Sequence, residues 1–508
     1  MRHLLSLIAC AAVLGGCGEP RPSSLLITNA RIVDGSGGPS QQGAVRVVDG
    51  RIAAVGELAR RAGEHVVDAG GLVLAPGFID THSHGDDDIF DQPDALPALS
   101  QGITTIVVGQ DGGSPLPLGE FFARLERAPA AVNVAAYAGH NSLREAVLGR
   151  DYRRAASDAE VTRMAALLER ELAAGALGLS TGLEYEPGIW SERGEVLALA
   201  RVAAAAGGRY ISHVRSEDRW FEEALEEIIA IGRETGMPVQ VSHIKLAMRR
   251  LWGEAERVVA RLDAARAAGV DVTADIYPYE YWQSNLMVLV PDKDPRNREA
   301  IAEALAEIAP ADGIRFTAFA PRPDYVGLTL ADVAALREQD PVTTFSELAE
   351  LSLAWADEQG GAGDAIIGTS MREQDIVALL RWPHVNICSD GGFVDLHPRA
   401  RGAFPRVLAR YVREQQVLRL EEAVHRMTGL AAAHMGFAER GVIRPGAHAD
   451  LALFDPASVT DRATPESPEQ LASGIVQVWV GGVPVYADGA STGARPGRVI
   501  RRQGAELQ

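Results

Sequence analysis

The chain has 508 residues, 47% of them hydrophobic and 23% charged, and a formal net charge of −19. That length is too great for one ordinary domain and supplies ample apolar material for a large core with an accessory domain. The negative balance argues against nucleic-acid binding, which rests on Lys and Arg contacts to phosphate.

In chain order, residues 1–16 read as a secretory signal, with a basic start, an apolar stretch from Leu4 to Leu14 and then small residues. The stretch is too short to span a bilayer comfortably. Leu14-Gly15-Gly16-Cys17 resembles a bacterial lipoprotein box, which implies cleavage before Cys17 and lipidation of its thiol. Gly18, rather than Asp, follows the cysteine. The expectation is an exported lipoprotein on the periplasmic face, anchored to the outer membrane through its lipid and joined to the fold by a linker over 17–24. Cys10 would leave with the signal, so Cys388 remains as a lone thiol and no internal disulfide is expected.

Residues 25–77 alternate apolar and polar positions between Asp-Gly and Gly-Gly turns, and residues 440–500 do the same. The two ends of the chain therefore predict one small composite β-sandwich domain. Between them, over 78–439, short apolar runs alternate with amphipathic segments, the sign of βα units. Eight strand candidates follow in order: GFIDTHSH, GITTIVVGQD, AVNVAAYAGHN, GALGLSTGLEY, GRYISHVR, PVQVSHIK, VDVTADIYPY and HVNICSDG. Eight units predict an α/β fold, a (β/α)8 TIM-like barrel. The stretch from about 291 to 363 is too long for one crossover and is expected to be an insertion after the seventh strand.

Five of these runs finish in residues that bind metal or move protons: His82 and His84, Asp111, His213, His243 and Asp390. In a barrel all carboxyl ends of strands open on one face, so residues three hundred positions apart converge there. His82 and His84, at i and i+2 of a strand, point the same way. Imidazoles with carboxylates suit zinc or a similar divalent ion. Taken singly, each has a plainer reading: surface or core histidines, and turn aspartates at Asp111 and Asp390, both of which precede glycine. Together, four histidines at the ends of three strands and an aspartate at the end of the last make a metal site.

In this pattern the sequence resembles the amidohydrolase superfamily and, within it, the N-acyl-D-amino-acid deacylases (D-aminoacylases). The likeness rests on PGFIDTHSHGDDD, GITTIVVGQDGGS, GLSTGLEYEPG, ISHVRSE, VSHIK, DIYPY, SDGGFVDLHPRARGAFPRVLARYV and GARPGRV, which span residues 25 to about 500. It implies a hydrolase with one or two divalent ions, zinc foremost. Its substrate would be a small N-acyl amino acid, split into a carboxylate and a free D-amino acid. The D-preference is carried by the resemblance alone. The family's second-strand motif has a metal-ligating cysteine where this chain has Asp111, so Asp111 would take that role as a harder ligand.

Asp390 would act as base and then acid, and His140, after the third strand, as an oxyanion contact or else a structural histidine. Lys245, Tyr277 and Arg399 would grip the substrate's α-carboxylate, Arg as a fork, Lys as a point charge and Tyr as a donor. As lone residues, the two cations would read as rim charges. Other readings of the same site are hydrolysis of a cyclic amide or a dipeptide, and a catalytically silent binding lipoprotein.

Overall fold

The computed structural model describes residues 24–504. The signal segment 1–16 and Cys17 lie outside the described residues. Among the described residues no helix is long and apolar enough to cross a membrane.

Both chain ends build one nine-stranded sheet. Strand Ser24–Ile32 pairs with Gln41–Val48 on one side and with Val73–Pro76 on the other. Val73–Pro76 in turn pairs antiparallel with Leu451–Phe454 from the far end of the chain, setting Leu74 opposite Leu453. The outer strand Arg51–Gly56 bonds through Ile52 to the backbone of Gly446 and Ala447, just ahead of Leu451–Phe454, so the sheet folds back on itself. It encloses a core of its own around Ile27, Val45, Leu451 and the fully buried Trp479. The apolar-polar alternation of these segments produces that core, because every second side chain faces inward.

The eight predicted runs form eight barrel strands: Phe78–Asp80, Ile103–Val108, Asn133–Ala136, Gly178–Gly182, Arg209–His213, Val239–Val241, Val272–Ile276 and Val385–Ile387. All pairings among them are parallel. The barrel closes where Ser83 bridges Gly391 and the Asp390 amide donates to the His82 carbonyl at 2.9 Å. Below that seam, the Asp80 carboxylate accepts the Ser389 amide at 2.8 Å and the Ser389 hydroxyl at 2.5 Å. The strands are buried on both faces, as a parallel sheet covered by helices requires. Helices such as Asp158–Ala174, opened by a Ser157/Glu160 capping box and ended at left-handed Gly175, form the outer layer.

Two boundaries differ from the sequence reading. The insertion after the seventh barrel strand is wider than 291–363. It starts with strand Tyr281–Ser284, which pairs with Asp364–Thr369, itself paired with Ile314–Phe319. Within the aromatic run Tyr277–Trp282 the chain bends at Pro278 and begins a separate sheet at Tyr281. Trp282 is fixed there by a 2.7 Å bond from its indole to Ser370. At the other end, the β domain stops at Ser491, not at 500. Residues 497–502 run instead along the amino ends of the barrel strands, where Val499 bridges Val134. Arg502 there donates to the carbonyls of Leu172, Ala176 and Ala206.

Candidate active site

The carboxyl ends of five strands bring the predicted ligands together. Asp111 follows the second strand in a tight turn: Gly113 N bonds Gln110 O at 2.9 Å, and Asp111 and Gly112 both have positive φ, at 51° and 78°. That is the φ pattern of a type I′ turn, which favours Asp-Gly. The turn-aspartate reading holds, and the same turn presents the Asp111 carboxylate to the histidine cluster. Two glycines set its position. A Cβ at Gly182 would lie 2.0 Å from the Asp111 carbonyl oxygen, and one at Gly112 would lie 2.4 Å from Asn141 Oδ1. His243 (φ 33°) and Asp390 (φ 51°) also carry left-handed backbone. These three non-glycine residues share one cluster of donor atoms, the kind of place where such backbone strain collects.

Asp111 Oδ1 lies 3.3 Å from His243 Nε2 and 3.4 Å from His82 Nε2. Asp390 Oδ1 lies 3.2 Å from His84 Nε2 and 3.5 Å from His82 Nε2. His213 Nδ1 is 3.2 Å from His243 Nε2, and its Nε2 is 3.0 Å from Glu184. The donor atoms of His82, Asp111, His243 and Asp390 fall within 4.8 Å of one another, and so do those of His213, Glu217 and His243.

This donor set fits a divalent cation. His82 is fully buried, yet neither of its ring nitrogens has a hydrogen-bond partner, and Asp111 Oδ1 is likewise unpartnered. Buried polar atoms are rarely left so, because each costs about 1–3 kcal/mol. The electrostatics agree. Burial and the Lys245 ammonium push the His243 imidazolium down, but the carboxylates of Glu217, Asp111 and Asp390 carry it up to about 10. Burial raises the Asp390 carboxyl, yet Arg399, His243 and His82 hold it well below the usual carboxylate range. The cluster concentrates negative charge that calls for a cation at its centre.

The predicted carboxylate anchors are not rim charges. Lys245 and Arg399 are buried, at 5% and 4% exposure. Arg399 Nη1 donates to Asp390 Oδ2 at 2.6 Å. Its backbone amide donates to His397 Nδ1 at 2.9 Å, which fixes the start of helix Arg399–Arg406. Lys245 Nζ lies 2.5 Å from Glu217 Oε1 and 2.7 Å from His243 Nδ1. The Tyr277 ring sits 4.7 Å from the Arg399 guanidinium carbon and 5.6 Å from Lys245 Nζ. Its hydroxyl is buried and unpartnered, and burial lifts its pKa well above the usual range, leaving a neutral phenol ready to donate.

His140 begins the helix His140–Leu148; its Nε2 bonds Glu195 at 2.8 Å beside Arg144, and its Nδ1 is buried without a partner. The buried Glu195 carboxylate thus fixes one side of the imidazole. Conversely, Glu184 and Glu217 enter the site although the sequence reading gave them no role. Their signal was present in GLEYEPG and in His213-Val-Arg-Ser-Glu217, each placing a carboxylate just past a strand end. The Asp88 carboxylate accepts the amides of Phe393 and Val394 and shapes the loop after the eighth strand. Asp390 stands between two cavities. A wide one of about 820 Å³ runs past His84, Asp86 and Phe90, and a narrow one of about 40 Å³ lies against His213, Lys245 and Tyr277.

A model described as the amidohydrolase family matches residues 65–359 and 326–486. The chain belongs to the amidohydrolase family. Among curated relatives, this amidohydrolase is 38% identical to the N-acyl-D-glutamate deacylase of Alcaligenes xylosoxydans xylosoxydans, over 94% of the chain and 96% of that protein. It is 36% identical to the D-aminoacylase of the same organism, over 96% and 99%. Among solved structures it superposes on the Bordetella bronchiseptica N-acyl-D-glutamate deacylase with a TM-score of 0.84 at 39% identity, covering 94% of this chain and 99% of that one. That structure holds zinc and a phosphonate inhibitor, described as a mimic of the tetrahedral intermediate of its reaction.

Proposed function

We propose that this amidohydrolase hydrolyses the amide bond of N-acyl-D-amino acids, releasing a carboxylate and a D-amino acid, with a divalent ion, zinc foremost, held by His82, His84, Asp111, His213, His243 and Asp390. The observation that carries this reading is the placement of two buried cations, Lys245 and Arg399, in the same narrow cavity as the imidazole-carboxylate cluster. A linear substrate has an amide to be attacked and a free α-carboxylate a few bonds away, and the site offers a centre for each. A neutral cyclic amide has no carboxylate for the two cations, which disfavours that alternative. The silent-binder alternative would need a lost ligand or a lost base, and both are present.

When bound, the ion polarises the amide carbonyl and makes water a better nucleophile near neutral pH. The protein's own part is proton transfer and positioning. Asp390, ionised by its neighbours, accepts a proton from the attacking water on Oδ1, the oxygen facing His84 and His82. It then returns the proton to the departing nitrogen. Arg399 holds Oδ2 and fixes the direction of Oδ1. Substrate binding would exchange part of the pairing of Arg399 with Asp390, and of Lys245 with Glu217, for the α-carboxylate, while the Tyr277 hydroxyl supplies the third donor. Glu217 keeps Lys245 in place before substrate arrives.

The test is a panel of N-acetyl D- and L-amino acids with zinc, cobalt and manganese. Turnover of D-substrates is the expected result. Turnover confined to L-substrates or to cyclic amides would overturn the reading.

We also propose export and lipidation at Cys17, supported by the Leu14–Cys17 box alone, with the enzyme at the periplasmic face of the outer membrane. Cys17→Ser should move the protein from the membrane fraction to the soluble fraction. Retention in the membrane would refute the anchor.

A further inference from the structure

We propose that Asp275, on the seventh barrel strand, is a positioning residue for the metal centre. It holds the backbone of His243 so that the imidazole meets the cation, and it ties that strand to the one bearing Asp390. This deepens the metal-dependent reading and rests on it. Asp275 is fully buried, yet it is not among the donor atoms that cluster around the cation site. A buried carboxylate needs partners, and those it has point to its task.

The sixth strand ends at Val241, and two residues on the chain turns through His243 with φ 33°. The amides on either side of that turn find backbone acceptors: Ser242 N bonds Ser212 O at 2.9 Å, and Ile244 N bonds Asp275 O at 2.8 Å. The His243 amide between them bonds a side chain instead, Asp275 Oδ1 at 2.5 Å. A left-handed non-glycine residue persists only where its surroundings over-determine it, and this bond is one such restraint. It also aims the ring. With the backbone so held, His243 Nε2 lies 3.3 Å from Asp111 Oδ1 and Nδ1 lies 2.9 Å from Glu217 Oε1.

The other partners of Asp275 are donors as well, which suits an acceptor-only group. Gln240 Nε2 donates to Oδ2 at 2.6 Å, and Cys388 Sγ lies 3.3 Å from Oδ1. Gln240 is fixed in turn by Thr273 Oγ1 at 3.1 Å. Gln240 stands three residues before His243, and Cys388 two before Asp390. One side chain of a strand that supplies no atom to the cluster thus joins two strands that do. Asp80 plays the matching part across the barrel seam, accepting the amides of His82 at 3.4 Å and Ser389 at 2.8 Å. Groups that orient a metal ligand without touching the ion typically contribute roughly 10–100-fold to metal affinity or activity.

The experiment titrates cobalt(II) into the metal-free full chain, as wild type, Asp275→Asn and Asp275→Ala. Affinity is read by competition with a chromophoric chelator, and ligand geometry by the visible spectrum of the bound ion. Asp275→Asn keeps one acceptor oxygen but sets a donor against Gln240 or the His243 amide, so affinity should fall roughly tenfold. Asp275→Ala keeps neither acceptor, and the fall should approach roughly 100-fold. The cobalt bands should shift in both variants. If Asp275→Ala does not fold, Asp275→Asn decides alone. A mere staple between strands would lower the melting temperature of metal-free and metal-loaded protein alike and leave the bound ion unchanged. Wild-type affinity with an unshifted spectrum in the folded variants would therefore overturn the proposal and leave the metal reading intact. If the wild type takes up no divalent ion, the metal reading and this proposal fail together.

Discussion

Asp390 is asked to do three things with two oxygens: face the ligand cluster through Oδ1, bind Arg399 through Oδ2 and move a proton. Asp390→Asn keeps the shape and the left-handed turn, since Asn tolerates that region as Asp does. It removes the basic oxygen. The expected outcome is a fall in kcat of at least roughly 10²–10⁴-fold, the usual contribution of a positioned general base, with metal content per chain nearly unchanged. Near-wild-type turnover in that variant would refute its role. At this scale the sequence was informative about identity but not about partners. His82, His84, His213 and His243 were legible because each ends a strand. His140 sits in an equally promising AGHNS context and is taken by Glu195. Nothing local distinguishes it, because Glu195 lies fifty-five residues on and meets it only through the packing of helix on helix.

Elements position these residues by close approach. Gly182 leaves room for the Asp111 carbonyl, and a methyl group there would collide with it at 2.0 Å. Gly182→Ala should displace the Asp111 turn. Elemental analysis is expected to find less metal per chain than in the wild type while the circular dichroism spectrum stays native. Full metal occupancy would show that Asp111 is not needed to hold it.

In the β domain the buried pair Arg46–Glu64 plays a different part. Hydrogen bonding to Arg46, with the Arg61 amide, pulls the Glu64 carboxyl from about 4.5 down to about 2. A carboxyl whose folded pKa is depressed contributes stability above its unfolded pKa, and loses it as pH falls through the folded one. Arg46→Met should therefore lower the urea midpoint clearly at pH 7. The difference from wild type should shrink between pH 4.5 and pH 2. A difference independent of pH would assign the effect to packing alone.

For the whole molecule, a cation held by the proposed ligands would tie together strands one, two, five, six and eight. An ion that binds the folded state and not the unfolded chain stabilises it by mass action, about 4 kcal/mol at a thousand times its dissociation constant. Removal also leaves Asp111, Asp390 and Glu217 facing one another. Dialysis against a chelator should abolish activity and lower the melting temperature by several degrees, and added zinc should restore both. An unchanged melting temperature after verified metal loss would show that the barrel holds the cluster without help.

By itself the sequence determined the alternation of strands and helices, the union of the two chain ends, and the strand ends at which the proposed ligands and anchors meet. These are properties of local periodicity and of residues at strand ends, and a barrel sends every strand end to one face. Tertiary structure alone decided where the insertion begins, that residues 497–502 brace the barrel rather than the β domain, and that His140 serves Glu195. It also decided that Glu217 holds Lys245, and that Asp390 divides a wide cavity from a narrow one. Each of those depends on contacts between segments far apart in the chain, and packing, not pattern, sets such distances.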